Sequence, residues 1–151
     1  MTRALRVLCI SGPNLQLLGK REPHLYGGET LDAIHSRLLA RAKTLRCKVD
    51  ARQTNHEGTI VDWLGEAAGK HDGVLINAAA YTHTSIAILD ALRALAIPAV
   101  EVHLSHPEAR EPFRRRSRIA PACIARVSGF RGDSYVLALE GLVTHLRHAQ
   151  R

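Results

Sequence analysis

Short apolar runs and longer stretches of mixed polarity alternate along the whole chain. The runs predict five strands, at residues 5–11, 47–53, 73–77, 99–103 and 119–128. In the longer stretches apolar residues recur every three or four positions, which predicts helices at residues 30–45, 58–70, 84–96 and from Asp133 or Ser134 to about residue 148. Such alternation favours right-handed crossovers and a parallel sheet with helices on both faces. The sequence therefore predicts an α/β fold, a flavodoxin-like three-layer sandwich with a five-stranded parallel sheet, formed by residues 1–151 as a single domain.

Polar side chains cluster where four of the predicted strands end. The clusters occupy residues 11–14, 53–57, 77–85 and 101–105. The carboxyl ends of parallel strands lie along one edge of the sheet, and ligands bind in the crevice there. We therefore expect residues that are far apart in sequence to form one pocket.

The fourth cluster carries the clearest chemical signal. In the run from Pro98 to His103, a carboxylate (Glu101) and an imidazole (His103) interrupt an apolar strand at alternate positions. Side chains two residues apart on a strand share a face. A charge buried on that face needs a partner or a function, so the two side chains are expected to act as a pair.

The long connection at residues 12–29 is the main irregularity in the pattern. Its glycines, Gly19 and the pair Gly27-Gly28, flank Arg21 and Tyr26 and could act as the hinges of a mobile lid, although the segment taken alone favours a plain surface loop. Long loops in compact domains are usually functional. The segment has neither a G-x-G-x-x-G nor a P-loop pattern, so the sequence does not support these two phosphate-binding motifs.

Composition narrows the choice of function only slightly. The formal charge of +7 fits an anionic substrate, a nucleic-acid surface or a merely basic exterior. Three widely spaced cysteines among apolar neighbours suggest reduced core thiols, and no apolar stretch is long enough to cross a bilayer. We therefore expect a cytoplasmic, soluble protein with no membrane partner. Neither zinc-binding spacing nor a nucleophile elbow is present, so a metal site or a hydrolase is disfavoured.

Five short motifs resemble those of type II 3-dehydroquinate dehydratase. They are Gly12-Pro13-Asn14-Leu15, Arg21-Glu22-Pro23, Gln53-Thr54-Asn55-His56-Glu57-Gly58, Ala80-Tyr81-Thr82-His83-Thr84-Ser85 and Glu101-Val102-His103-Leu104-Ser105. The resemblance runs from the first strand through Ser117, with a weaker match at residues 135–139. It implies a flavodoxin-like lyase without cofactor or metal, assembled as a homo-dodecamer of four trimers. The implied reaction, in the shikimate pathway or in quinate breakdown, converts 3-dehydroquinate to 3-dehydroshikimate through an enolate.

The resemblance also implies catalytic roles. Tyr26 corresponds to the base, although a free phenol, with a pKa of about 10, is a poor base at neutral pH. Arg21 is the cation that would stabilise its phenolate. His103 corresponds to the acid that protonates the departing hydroxyl, Glu101 orients its ring, and Asn14 holds the enolate oxygen.

Six further residues are implied to bind the anionic substrate. Asn77 and the backbone amides around Leu104 and Ser105 would hold its carboxylate, because backbone donors bind anions well. His83 and Arg114 would contact the ring hydroxyls. Asp90, on the third long helix, would reach the site of a neighbouring subunit, so activity would depend on assembly.

The chain departs from the family pattern at several places around the expected pocket. Gln16 and His106 stand where the family often has Asn, and Ala78-Ala79 replaces a usual Pro-Gly pair. Residues 129–135 lack the expected glycine spacing. We expect altered rigidity and affinity, with the reacting groups retained.

A non-catalytic flavodoxin-like binding module is the alternative from another functional class. Its basic run at residues 114–116 would contact an acidic partner or a nucleic acid. Aromatic residues make up only 4% of the chain, which weakens the case for single-stranded nucleic acid and favours the reading without a nucleic-acid partner.

Overall fold

A single five-stranded parallel sheet forms the centre of the protein, as described by a computed structural model that covers residues 3–151; Met1 and Thr2 lie outside the described residues. The strand order is β2-β1-β3-β4-β5, and all four neighbouring pairs are parallel. The strands are β1 (Leu5–Ser11), β2 (Cys47–Gln53), β3 (Gly73–Asn77), β4 (Ala99–His103) and β5 (Ala125–Ser128). The helices are α1 (Pro23–Tyr26), α2 (Leu31–Thr44), α3 (Glu57–Ala67), α4 (Ile86–Ala94) and α5 (Asp133–Ala149). This confirms the predicted α/β fold.

Two hydrophobic cores, one on each face, hold the helices against the sheet. Successive side chains of a strand point to opposite faces, and β1 is apolar on both: Val7 and Cys9 join one core, Leu8 and Ile10 the other. Helices α2 and α5 supply the first core, and α3 and α4 supply the second. The sheet is thus covered on both sides, which explains why its central strands read as continuous apolar runs.

The fifth strand is shorter than the sequence pattern predicts. Residues 119–128 were expected to be extended, but only Ala125–Ser128 pair with β4, and Ala120–Ala122 form a 3-10 turn. Pro121 lies in that turn and has no N–H for a sheet ladder. Ile119 is nevertheless fully buried in the second core. Ile119 is therefore apolar because it is buried in the core, and this is why the pattern predicted a longer fifth strand.

Helix ends follow side-chain caps rather than the apolar pattern. The Thr30 hydroxyl accepts from the Ala33 N–H, as expected, and α2 begins at the next residue. The fourth helix begins at Ile86 rather than residue 84, because Ser85 caps it by accepting from the Ile88 N–H. The connection at residues 12–29 is also less irregular than expected, since it contains α1 and a 3-10 turn.

The three cysteines are free thiols. Cys9 and Cys47 are buried and Cys123 is partly buried. Burial raises the pKa of the Cys9 and Cys123 thiols to about 12, so both stay protonated at neutral pH and are poor nucleophiles. They act as small apolar core residues. Within residues 3–151, no helix combines the length and apolarity needed to span a membrane.

The turn after β3 contains a strained backbone position. Ala79 has φ 51°, in the left-handed region that glycine tolerates and a β-carbon disfavours. It is one of the two positions where the family often has Pro-Gly. The turn is held by Asn77, whose Oδ1 accepts from the Ala79 N–H at 3.1 Å. The departure therefore carries a conformational cost that the surrounding contacts offset.

Ala79→Gly should stabilise the fold. Removing the β-carbon relieves the left-handed strain, and the gain should exceed the added chain entropy by about 0.5–1 kcal/mol in the free energy of unfolding. Denaturant unfolding measures the change. Ala80→Gly, at the exposed neighbouring residue, which lacks a positive φ, should instead destabilise. A stability loss at Ala79→Gly equal to that at Ala80→Gly would show that the strain has no energetic weight.

Candidate active site at the carboxyl ends of the strands

A cavity of about 170 Å³ opens where β1, β3 and β4 end. That is below the roughly 300–1,000 Å³ of pockets for drug-sized ligands, so it suits a single-ring molecule. Its lining consists of Pro13, Asn14, Leu15, Arg21, Tyr26, Asn77, Ala79, Ala80, His83, His103, Leu104, Ser105, Pro107, Arg110 and Arg114. Three of the four predicted strand-end clusters therefore meet in one pocket.

A tyrosine flanked by two guanidinium groups forms one wall. Tyr26 ends α1 and is only 7% exposed, because its ring packs into the first core. Arg21 Nη2 donates to the Tyr26 hydroxyl at 3.3 Å, and its Cζ lies 4.8 Å from the ring centroid. Arg110 Cζ lies 5.2 Å from the same centroid. The ring of Tyr26 thus lies between the core and two positively charged groups.

His103 forms another part of the cavity wall, with its predicted partner Glu101 behind it. Glu101 and His103 share a face of β4, and His103 Nε2 lies 2.5 Å from Glu101 Oε2. Ser117 Oγ donates to the other oxygen, Oε1, at 2.6 Å, and Arg126 Nε donates to Oε2 at 2.8 Å. Burial alone would raise the pKa of Glu101, but hydrogen bonds from His103 and Ser117 and the charge of Arg126 outweigh it, so the pKa is lowered. Glu101 is therefore a buried anion.

Asn77 is held at the floor by a tyrosine from α5. Asn77 Nδ2 donates to the Tyr135 hydroxyl at 3.1 Å, and the same hydroxyl lies 2.9 Å from Ser11 Oγ. Tyr135 is fully buried, and burial raises its pKa, so it remains a neutral phenol. With Oδ1 bound to the Ala79 N–H, the plane of the Asn77 amide is set by two hydrogen bonds.

His83 presents an acceptor to the cavity. Its Nδ1 lies 2.8 Å from the Arg116 carbonyl oxygen, which can only accept, so Nδ1 carries the proton. Burial lowers the pKa of His83, and the neutral ring is favoured at neutral pH. Nε2 is then a free acceptor, which suits a ligand hydroxyl.

Comparison with known proteins identifies the family of this site. The family model for class II dehydroquinase matches residues 5–143. A 3-dehydroquinate dehydratase of Acaryochloris marina is 56% identical over 141 residues, which are 93% of this chain and 95% of the relative. The crystal structure of type II dehydroquinase from Propionibacterium acnes superposes with a TM-score of 0.90 at 39% identity, covering 95% of this chain and 99% of the other. The chain belongs to the class II dehydroquinase family.

Membership makes the chain a lyase of the type II 3-dehydroquinate dehydratase class, as the five motifs indicated. A second dehydroquinase structure, from Butyrivibrio crossotus, gives the same TM-score of 0.90 at 38% identity, covering 92% of this chain and 97% of the other. The family model spans residues 5–143, a range that includes the divergent connection at residues 129–132.

Nine of the eleven site residues expected in this dehydroquinase line the cavity. Glu101 lies behind His103 rather than at the surface of the cavity. Asp90 is exposed on α4 and does not line the cavity of its own subunit. The nine are Asn14, Arg21, Tyr26, Asn77, His83, His103, Leu104, Ser105 and Arg114.

Four residues around the site were not predicted to have a role there. Arg110 and Arg126 were not named as site residues, Ser117 marked the end of the main resemblance, and Tyr135 began its weaker match at residues 135–139. A tyrosine on an otherwise aliphatic buried face was the available signal, because its hydroxyl needs a partner. No sequence pattern indicated the contacts of Arg110 and Arg126, since they join residues on different secondary-structure elements.

The remaining departures from the family pattern lie outside the cavity. Gln16 Oε1 accepts from Gln53 Nε2 at 3.1 Å, and His106 is exposed beside Glu108. In the last connection, Arg131 N donates to the Leu104 carbonyl at 2.9 Å. These contacts leave the cavity walls intact. Among residues 3–151, no group of three or more His, Cys, Asp or Glu side chains is placed to hold a metal ion.

Tyr135→Phe should weaken substrate binding more than catalysis. The change leaves Asn77 Nδ2 without its partner in a buried site, so the amide loses its fixed orientation, at a cost of about 1–3 kcal/mol. We expect KM for 3-dehydroquinate to rise by about tenfold with kcat within about threefold of wild type. Steady-state kinetics measures both. A fall in kcat at unchanged KM would contradict a role through Asn77.

Proposed function

We propose that this chain eliminates water from 3-dehydroquinate to form 3-dehydroshikimate, with Tyr26 as the base and His103 as the acid. The observation that carries the proposal is the joint placement of two side chains. The Tyr26 phenol, in contact with Arg21, and the His103 imidazole, held by Glu101, line the same small cavity. Family membership supports the overall reaction.

The first step is removal of a proton from the carbon next to the ketone. The Tyr26 phenolate takes that proton, and the C–H electrons pass to the ketone oxygen, which becomes an enolate. Arg21 and Arg110 stabilise the phenolate before the step. Burial of the ring in the first core keeps the base at one position in the cavity.

Asn14 is proposed to hold the enolate oxygen. It follows β1 with φ 68°, and its backbone N–H donates to Asn55 Oδ1 at 3.0 Å. The backbone is thus anchored while the side chain lines the cavity. A donor placed in advance stabilises charge that develops in the transition state.

The second step expels the hydroxyl from the carbon next to the one that lost its proton. The enolate oxygen re-forms the ketone, the enolate C=C electrons form a new double bond to the carbon that carries the hydroxyl, and the C–O bond breaks as His103 donates a proton, so that water leaves. Because Nε2 of His103 contacts Glu101, Nδ1 is the nitrogen that would donate this proton. Tyr26 has gained one proton and His103 has lost one, so proton exchange restores both without a cofactor.

Substrate binding uses the positive character of the cavity. Arg21, Arg110 and Arg114 all line it, which suits an anionic substrate. We assign the substrate carboxylate to Asn77 and the backbone amides of Leu104 and Ser105. The ring hydroxyls are assigned to His83, through its free Nε2, and to Arg114.

Tyr26→Phe should abolish most turnover while leaving binding nearly intact. General-base catalysis contributes about 10²–10⁴-fold, and Phe keeps the ring in place without the oxygen. The ultraviolet absorbance of the conjugated product, followed with purified protein and 3-dehydroquinate, measures kcat and KM. Tyr81→Phe is the matched control, because its hydroxyl donates to the Asn55 carbonyl outside the cavity. Wild-type turnover in Tyr26→Phe would remove this residue from the mechanism.

We further propose that the active form is a homo-dodecamer in which Asp90 completes the site of a neighbouring subunit. Its exposure on α4, away from its own cavity, leaves the carboxylate available for such a contact.

Asp90→Asn should therefore change assembly or raise KM, with the fold of each subunit unchanged. Light scattering after size-exclusion chromatography and steady-state kinetics report the two effects. Asp62→Asn, at another exposed carboxylate, on α3 of the same layer, is the matched control. A stable, fully active monomer of Asp90→Asn would exclude the role in a neighbouring site.

A further inference from the structure

A line of alternating charges runs from the cavity to the protein surface. Glu101 Oε2, 2.5 Å from His103 Nε2, also accepts from Arg126 Nε at 2.8 Å. Arg126 Nη1 donates to Glu108 Oε1 at 2.8 Å, and Glu108 Oε2 lies 3.3 Å from His106 Nδ1. One carboxylate oxygen therefore serves the imidazole and the guanidinium at the same time.

Without the carboxylates of Glu101 and Glu108, the partly buried guanidinium of Arg126 would carry an uncompensated desolvation cost. The side chain is 27% exposed, but its Nη2 is buried without a hydrogen-bond partner in the part of the chain that the structure describes. A buried donor without a partner costs desolvation free energy. Its two other nitrogen contacts, both to carboxylates, therefore hold the residue against the back of Glu101.

We propose that Arg126 is a positioning residue that limits how tightly Glu101 holds the proton of His103. This inference rests on the proposed role of His103 as the acid. A bare buried carboxylate would strongly favour the imidazolium, and an imidazolium held too strongly is a poor proton donor. Arg126 offsets part of that charge and fixes the plane of the carboxylate. The proton can then pass to the departing hydroxyl.

Several other charged or titratable groups surround His103, and all of them remain in the two variants at position 126. Glu101 lies on the same strand, His83 comes from the turn after β3, and Glu108 lies beyond Arg126. The same cavity is also lined by Arg21, Tyr26, Arg110 and Arg114. Because these groups are constant, a change at position 126 alone reports the contribution of its guanidinium.

Titration of His103 by NMR in the full-length protein, labelled at histidine ¹³Cε1 and free of substrate, tests the inference. Arg126→Gln removes the positive charge beside Glu101, so the imidazolium becomes more stable and the midpoint should rise by about one pH unit, a tenfold change in the protonation ratio. Arg126→Lys retains the charge and should restore the wild-type midpoint. The His103 signal is assigned by its loss in His103→Asn.

Two further variants control for indirect effects. Arg52→Gln removes a comparable arginine from β2, at the opposite edge of the sheet, where Arg52 binds Asp50 through two nitrogens. It should leave the midpoint unchanged. Glu108→Gln removes an outer negative charge, so the midpoint should fall. Because the Glu108 side chain is exposed, Glu108→Gln is expected to fold. It therefore tests the inference even if Arg126→Gln does not fold.

An unchanged midpoint in folded Arg126→Gln, or a midpoint in Glu108→Gln that stays or rises, would overturn the inference. The pH dependence of kcat separates this result from failure of the proposed mechanism. If His103 is the acid, turnover is lost as pH rises through its titration, so this alkaline limb should move upward with the NMR midpoint in Arg126→Gln. A midpoint that moves without the limb would refute the acid role of His103 and leave the effect of Arg126 established.

Discussion

The buried carboxylate of Glu101 is the constraint on which the geometry of the site depends. A carboxylate removed from water costs several kcal/mol unless protein groups replace its hydration. Glu101 is 0% exposed, and its replacement comes from His103, Ser117 and Arg126. These three lie on β4, in the connection between β4 and β5, and on β5. One anion therefore orients the imidazole and ties the connection that carries Arg110 and Arg114 to the sheet.

The topology determines why such distant residues meet. Strands β1, β3 and β4 are consecutive in the sheet, although β2 lies between β1 and β3 in the chain. Their carboxyl ends deliver Asn14, Asn77 and His103 to a single edge. Tyr26 then arrives from the long connection and is fixed by packing into the core, whereas its partner Arg21 stays partly exposed. Burial of the ring, rather than loop closure alone, thus sets where the proposed base lies.

Sequence reasoning succeeded where the determining interactions are local. The bounds of four strands follow from apolar runs, and the Glu101–His103 contact follows from the two-residue period of a strand. It failed where a contact joins distant segments: Asn77 and Tyr135 are 58 residues apart, and Glu101 and Arg126 are 25 apart. A basic residue on an edge strand has the same pattern whether it faces water or a buried carboxylate. Only the packed fold distinguishes these cases.

Tyr26 and His103 line the same cavity but have charged neighbours of opposite sign. Two guanidinium groups, of Arg21 and Arg110, lie beside the Tyr26 ring, whereas the carboxylate of Glu101 lies beside the His103 imidazole. When the surroundings of two titratable groups push their pKa values apart, one site can supply both a base and an acid near neutral pH. His83, which also lines the cavity, is favoured in its neutral form because burial lowers its pKa. The proposed elimination requires these different surroundings. If the imidazolium gave its proton directly to the phenolate, the site would have neither a base nor an acid for the substrate.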